Sequence, residues 1–126
     1  MRRKSCAKRT AGASSRHPKS WGAAEGSLKK SVALFDLQIE RALKSDSEFS
    51  RTEHAGNRIG SKARSLSYLG TVYLREGRKA EAFKAAEVAY EEVIRPHVQA
   101  TFLSEVVRVG ISIAQASGDQ RGQRPN

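Results

Sequence analysis

Four groupings in this chain hold residue types capable of chemistry: the run GNRIGSK at residues 56–62, the pair Glu53-His54, the neighbours Glu91-Glu92, and the tyrosines Tyr73 and Tyr90. A phosphate-cradling loop needs a longer glycine-to-Gly-Lys-Ser/Thr spacing, placed between a strand and a helix, so that backbone N–H groups surround the phosphates. The run 56–62 is too short for that spacing, and nothing before it reads as a strand. A helical metal pair needs ligands at i and i+4 together with others. His54 stands beside Glu53 instead, and His17 and His97 lie in a tail and after a proline. Adjacent helical residues point about 100° apart, so Glu91 and Glu92 cannot work as a carboxylate pair. No serine has a histidine and an orienting acid at a telling spacing, and tyrosines at helical spacing read as core or groove residues. A lone Cys6 in a polar stretch reads as a surface thiol. The expectation is a protein that is not an enzyme, with no cofactor and no metal site.

The residues that organise the chain are structural. Leu66, Leu69 and Tyr73 fall at i, i+3 and i+7, with Val72 and Leu74 widening the apolar band, which is one face of a helix. Gly70 sits in mid-helix, where it is about 1 kcal/mol worse than Ala, so it predicts the close approach of a second helix. Glu76-Gly77 ends the run, because glycine accepts the left-handed conformation past a helix terminus. A second helical period follows at once: Ala82, Phe83, Ala85, Ala86, Ala89, Tyr90 and Val93. Two helices joined by a few residues fold back antiparallel, and facing alanines bring their axes close.

Leu69-Gly70, Tyr73, Gly77, Ala82, Ala86 and Ala89, in that order, resemble the signature of a tetratricopeptide repeat. One repeat is present, covering about a quarter of the chain; Leu66 stands at the usual Trp position, and Pro96 falls about two residues late for a 34-residue unit. Residues 28–116 as a whole also resemble the C-terminal helical-repeat region of actinobacterial helix-turn-helix regulators, residues 81–103 carrying most of the likeness. These resemblances imply an all-α fold of antiparallel hairpins, about four helices in all, with a concave groove lined by the first helix of each pair.

The other helices are read from their own patterns. Ser27 is a candidate N-cap, and Leu28, Val32, Phe35, Ile39 and Ala42-Leu43 then mark one face, broadened by Leu34 and Leu37. Ser50 and Glu53 have capping-box spacing and predict a helix start near Arg51, with Gly56 and Gly60 fraying its first turns. Pro96 breaks the chain and suits the first position of the last helix. Val98, Phe102, Val106 and Val109 mark that helix, Gly110 interrupts it, and Ser117-Gly118 ends it. The helical domain is therefore expected at residues 27–117, with disordered tails at 1–26 and 118–126.

The net charge of +10 belongs to the ends. Arg2, Arg3, Lys4, Lys8, Arg9, Arg16 and Lys19 stand among residues 1–20 with no acid, while all 13 acidic residues lie between Glu25 and Asp119 and nearly balance the bases there. Basicity in a tail is poor evidence for a nucleic-acid-binding domain and implies at most a weak polyanion contact. No apolar run approaches the roughly 18 residues of a membrane span. The expectation is a cytoplasmic protein that binds a peptide or partner protein. The groove positions are the residues off the packing face of the helix at 61–76: Arg64, Ser65, Tyr68, Thr71 and Arg75. They would suit acidic or polar side chains, and binding should survive removal of the first 24 residues. The alternative implied by the regulator resemblance is a signal- or ligand-sensing fragment of a DNA-binding transcriptional regulator without its own DNA-reading helix. Self-association is expected through Val98, Phe102, Val106 and Val109, since a repeat buries its face only against neighbours.

Overall fold

The computed structural model describes the backbone of residues 3–122 and the side chains of residues 21–116. The fold is all-α: α1 (Arg3–Leu43), a π-helical turn (Ser50–His54) leading into α2 (Ala55–Arg75), α3 (Lys79–Val93) and α4 (Ala100–Gly122), with no strand among the described residues. The backbone of residues 3–26, read as part of a disordered tail, is helical within α1, and Ser117-Gly118 does not end α4, which runs on to Gly122; the weak polyanion contact expected of residues 1–20 concerns side chains outside the described residues.

α2 is the central helix and touches the other three. Two clusters form the core. Ala63, Ala89, Val93, Phe102 and Val106 make one. Leu69, Tyr73, Ala82, Ala85 and Ile113 make the other, with Leu28 of α1 packed against it. Alanine supplies much of α3's inner face, so the α2 and α3 axes lie close; a Cβ on Gly70 would stand 3.1 Å from the carbonyl oxygen of Ala82 and 3.0 Å from Ile113 Cδ1. The expected close approach at Gly70 is therefore present. Phe83 and Tyr90, read as part of the inner face, point outward and are exposed.

The α2–α3 turn closes where the sequence places it. Gly77 has φ of 82°. Its N–H donates to the Leu74 carbonyl at 3.0 Å, and the Arg78 N–H donates to the Tyr73 carbonyl at 2.8 Å. These two bonds satisfy carbonyls that the helix end leaves free.

Several boundaries differ from expectation. α1 continues on the N-terminal side of Ser27, so Ser27 is not its cap. Trp21 and Glu25 hold that added stretch by contacts with distant residues, which no local apolar period reports. Leu34 and Leu37 do not broaden the buried face; each is 54% exposed. The capping box at Ser50 does not form. The Ser47 hydroxyl caps instead, accepting the Ser50 N–H at 3.2 Å, and helical backbone begins at Glu48. The first turns of α2 do not fray: Ala55, Gly56, Ile59 and Gly60 are buried.

Pro96 does not open α4 either. It lies in a turn, and His97 after it takes φ of 70°, a left-handed conformation uncommon for a non-glycine residue. That reversal turns the chain so that Val98 packs on the core, and α4 begins at Ala100. Gly110 does not interrupt α4, which runs through it. Phe102 and Val106, the centre of the face expected to self-associate, are buried within the chain beside Ala63 and Ala89. The α2–α4 contacts advance together along both helices, Gly60 on Phe102 and Gly70 on Ile113. α4 therefore runs alongside α2 in the same direction.

Candidate partner-binding groove

Arg64, Tyr68, Thr71 and Arg75 follow one another at steps of three or four residues, so they form one strip along α2. α3 covers the flank of α2 that carries Leu69, Gly70 and Tyr73, and α4 lies on Gly60 and Ala63. The strip runs beside α4. Arg64 Nε donates to Glu105 Oε1 on α4 at 3.0 Å, and the Arg64 guanidinium stands 5.0 Å from the centre of the Phe102 ring. The Tyr68 hydroxyl donates to the other oxygen of Glu105. The Thr71 hydroxyl donates to the Ser67 carbonyl at 3.4 Å within α2. The Arg75 guanidinium lies 5.8 Å from the centre of the Trp21 ring of α1. Ser65 is half-buried and, one residue on from Arg64, is turned about 100° away from it. Four of the five expected groove residues thus share a strip, and Ser65 does not.

At its C-terminal end the strip opens into a cleft. Thr71, Leu74, Arg75 and Lys79 form one side; Ser112, Ile113 and Ala116 of α4 form the other. Nothing in the sequence pattern joined Trp21 or the α4 residues to this place, because they meet Arg75 and Thr71 only through the fold.

Glu105 is the acid of the strip. The hydrogen bond from Tyr68, helped by Arg64, holds its carboxyl below the usual carboxylate value. The same bond pushes the Tyr68 phenol above its ordinary value, since a phenolate would face a carboxylate. Glu105 is thus occupied by Arg64 and Tyr68, whereas Arg75, among the described residues, meets an aromatic face. A cation over an indole ring keeps a good part of its charge available to an incoming anion.

Two further basic residues, both missed from sequence, tie the helices that frame the strip. Lys62, the last residue of GNRIGSK, reaches Asp36 of α1 at 2.8 Å and Glu92 of α3 at 3.0 Å. Burial works against its charge, but the two carboxylates outweigh it and raise its pKa. Arg78, just past the Gly77 turn, pairs with Glu81 at 2.6 Å, Glu76 at 2.9 Å and Glu25 of α1 at 3.0 Å. Its guanidinium also covers the Tyr73 ring at 4.3 Å. The Arg78–Glu81 spacing of three residues was a local signal; the reach to Glu25 had none.

The repeat-signature residues are packing residues: Leu69, Gly70, Tyr73, Ala82 and Ala89 are buried, Ala86 is half-buried, and Gly77 makes the turn. Among the described residues no group of three His, Cys, Asp or Glu is placed to hold a metal ion, and no helix is long and apolar enough to cross a membrane. No protein-family model matches the chain, and neither a curated protein nor a solved structure is significantly similar to it.

Proposed function

We propose that this chain is an interaction module of tetratricopeptide-repeat type, working in the cytoplasm, which binds an acidic segment of a partner protein along the α2 strip. The observation that carries this reading is Arg75. It sits at the mouth of the cleft with Thr71, Leu74 and Ser112 around it, and its contact among the described residues is with the Trp21 ring. A carboxylate reaching Arg75 would gain a charge-assisted, bidentate pair, while the indole offers apolar surface to a neighbouring side chain. Aromatic and arginine side chains together are the residue types that dominate binding surfaces. The repeat-type reading draws support from the α2–α3 hairpin and from α4 lying alongside α2 in the same direction. In such an array the first helices of successive hairpins line the concave side.

Trp21 is the one tryptophan of the chain, so it reports on the cleft directly. The test is a titration of the full chain with synthetic peptides of about twelve residues carrying Asp and Glu among apolar residues, read by Trp21 emission. The expected result is saturable quenching or shift with acidic peptides and none with lysine-substituted counterparts. Equal responses to both would reject an acidic partner.

A further inference from the structure

Where α1 hands over to α2, two helix faces meet across an open cleft of about 300 Å³. Gln38, Arg41 and Ser45 line it from the last turns of α1 and just past them, at i, i+3 and i+7. Ser50, His54 and Arg58 line it from the π-helical turn and the start of α2, at steps of four. Ser45 and Ser50 are half-buried, while Arg41, His54 and Arg58 are exposed. Hydroxyls thus form the inner part of the cleft and cations its rim.

We propose that this cleft holds the phosphate group of a phosphomonoester. The charges around it are of one sign. Two arginines and a histidine line it and no carboxylate does. Glu40, next to Arg41, is paired with Lys44 at 3.1 Å, and Asp46, Glu48 and Glu53 are exposed outside the lining. An arginine fork matches two oxygens of a phosphate at once. Forks from both sides, Arg41 on α1 and Arg58 on α2, suit a tetrahedral dianion better than a single planar carboxylate.

The neutral groups are set for the same task. The Ser45 hydroxyl accepts the Ser47 N–H at 3.0 Å, which leaves its own O–H to donate. The Ser45 carbonyl, which would repel an anion, is taken by the Arg51 guanidinium at 2.7 Å. The His54 ring, which carries an N–H donor, rests edge-on against Phe49 with 5.0 Å between centres. Gln38 Oε1 is buried, and among the described residues no hydrogen bond fixes its amide; half a turn of that amide presents its NH₂ group instead. A π-helical turn is itself rare and recurs at functional sites. Arg58 lies about 25 Å along α2 from Arg75, so the cleft is separate from the strip proposed to bind a partner.

The test is a titration of the isotope-labelled full chain with inorganic phosphate, against sodium acetate of equal ionic strength, read by two-dimensional NMR of backbone and arginine N–H groups. Phosphate should move the signals of residues 45–58 and the Nε–H signals of Arg41 and Arg58 saturably, and acetate should not. Arg41→Gln with Arg58→Gln should weaken phosphate at least about tenfold with circular dichroism unchanged, since both positions are exposed. Lys30→Gln with Lys84→Gln removes the same charge from exposed positions elsewhere and should bind like the parent. A phosphoserine peptide binding at least about tenfold tighter than phosphate would assign the group to a partner polypeptide; equal affinity would assign it to a small phosphomonoester. Equal responses to phosphate and acetate, an undiminished response in the arginine pair, or an equal loss in the lysine pair would overturn the proposal.

Discussion

Gly60 of α2 lies beneath the ring of Phe102 on α4, so close that a Cβ at position 60 would run into the ring carbons. Gly56, one turn earlier, meets the carbonyl of His97 in the same way. These two glycines let α4 and the turn before it settle on α2, and through that contact they place Glu105 beside Arg64 and Tyr68.

Gly60→Ala should therefore destabilise the chain. The methyl raises helix propensity by about 1 kcal/mol, but the clash falls on the body of an aromatic ring that has no free end to swing away. A net loss of about 1–3 kcal/mol is expected, read as a lower midpoint in urea. Gly26→Ala, on α1 with nothing within 4 Å of its Cβ, should instead gain a few tenths to about 1 kcal/mol.

Lys62→Met should loosen the packing of α1 and α3 on α2. It removes the ammonium that bridges Asp36 and Glu92 and leaves Glu92 with Arg95 at 2.7 Å as its remaining partner. The Lys62 and Glu92 side chains are only 15% and 16% exposed, so the loss should be about 1–2 kcal/mol, above that of a surface pair. Arg58→Met, at an exposed position of the same helix, should stay within about 0.5 kcal/mol of the parent.

Acid should unfold the chain through its paired carboxylates. Glu25, with Lys29, Glu81, with Arg78, and Glu105, with Tyr68, all hold their protons less tightly than the ordinary value of 4.5. Groups lowered in the folded state stabilise it above that value, and the stability is lost as pH falls through their folded values. Thermal melts should therefore fall steadily below about pH 4.5, and Glu105→Gln should flatten part of that slope. Tyr68 has the opposite sign. Its raised pKa means stability is present below 10.0 and lost as pH rises beyond it, and Tyr68→Phe should remove that alkaline contribution.

Removing residues 1–20 should leave peptide binding intact. Cutting the first 24 residues, the boundary that the sequence suggests, also removes Trp21 from Arg75 and should weaken binding. If the basic tail binds polyanions, that affinity should vanish with either cut and fall steeply with salt in the full chain. Filter binding to a homopolymer RNA at two salt concentrations checks this.

What was legible in the sequence was local. Leu69, Gly70 and Tyr73 marked the buried face of α2, and Gly77 marked its end, because helical spacing and a left-handed turn are set within a few residues. Gly56 and Gly60 were misread as weak points because their reason lies in Phe102 and His97, on a distant helix and turn. Ser47 outcompeted Ser50 as cap, since both precede polar, helix-compatible residues and only the path of the chain from α1 decides between them. Arg78 and Lys62 were invisible as ties, because their partners Glu25 and Glu92 stand 53 and 30 residues away. Within the groove, strip membership followed from spacing for Arg64, Tyr68, Thr71 and Arg75; Trp21 and the α4 wall did not.

The most direct test of the binding strip is Arg75→Glu in the full chain, titrated with an acidic peptide found by Trp21 emission. Among the described residues Arg75 makes its contact with an aromatic ring, so the reversal should leave folding unchanged by circular dichroism. The account predicts loss of acidic-peptide binding by at least about tenfold, together with a red shift of Trp21 emission as the ring loses its cover. Undiminished binding by a folded Arg75→Glu chain would contradict it.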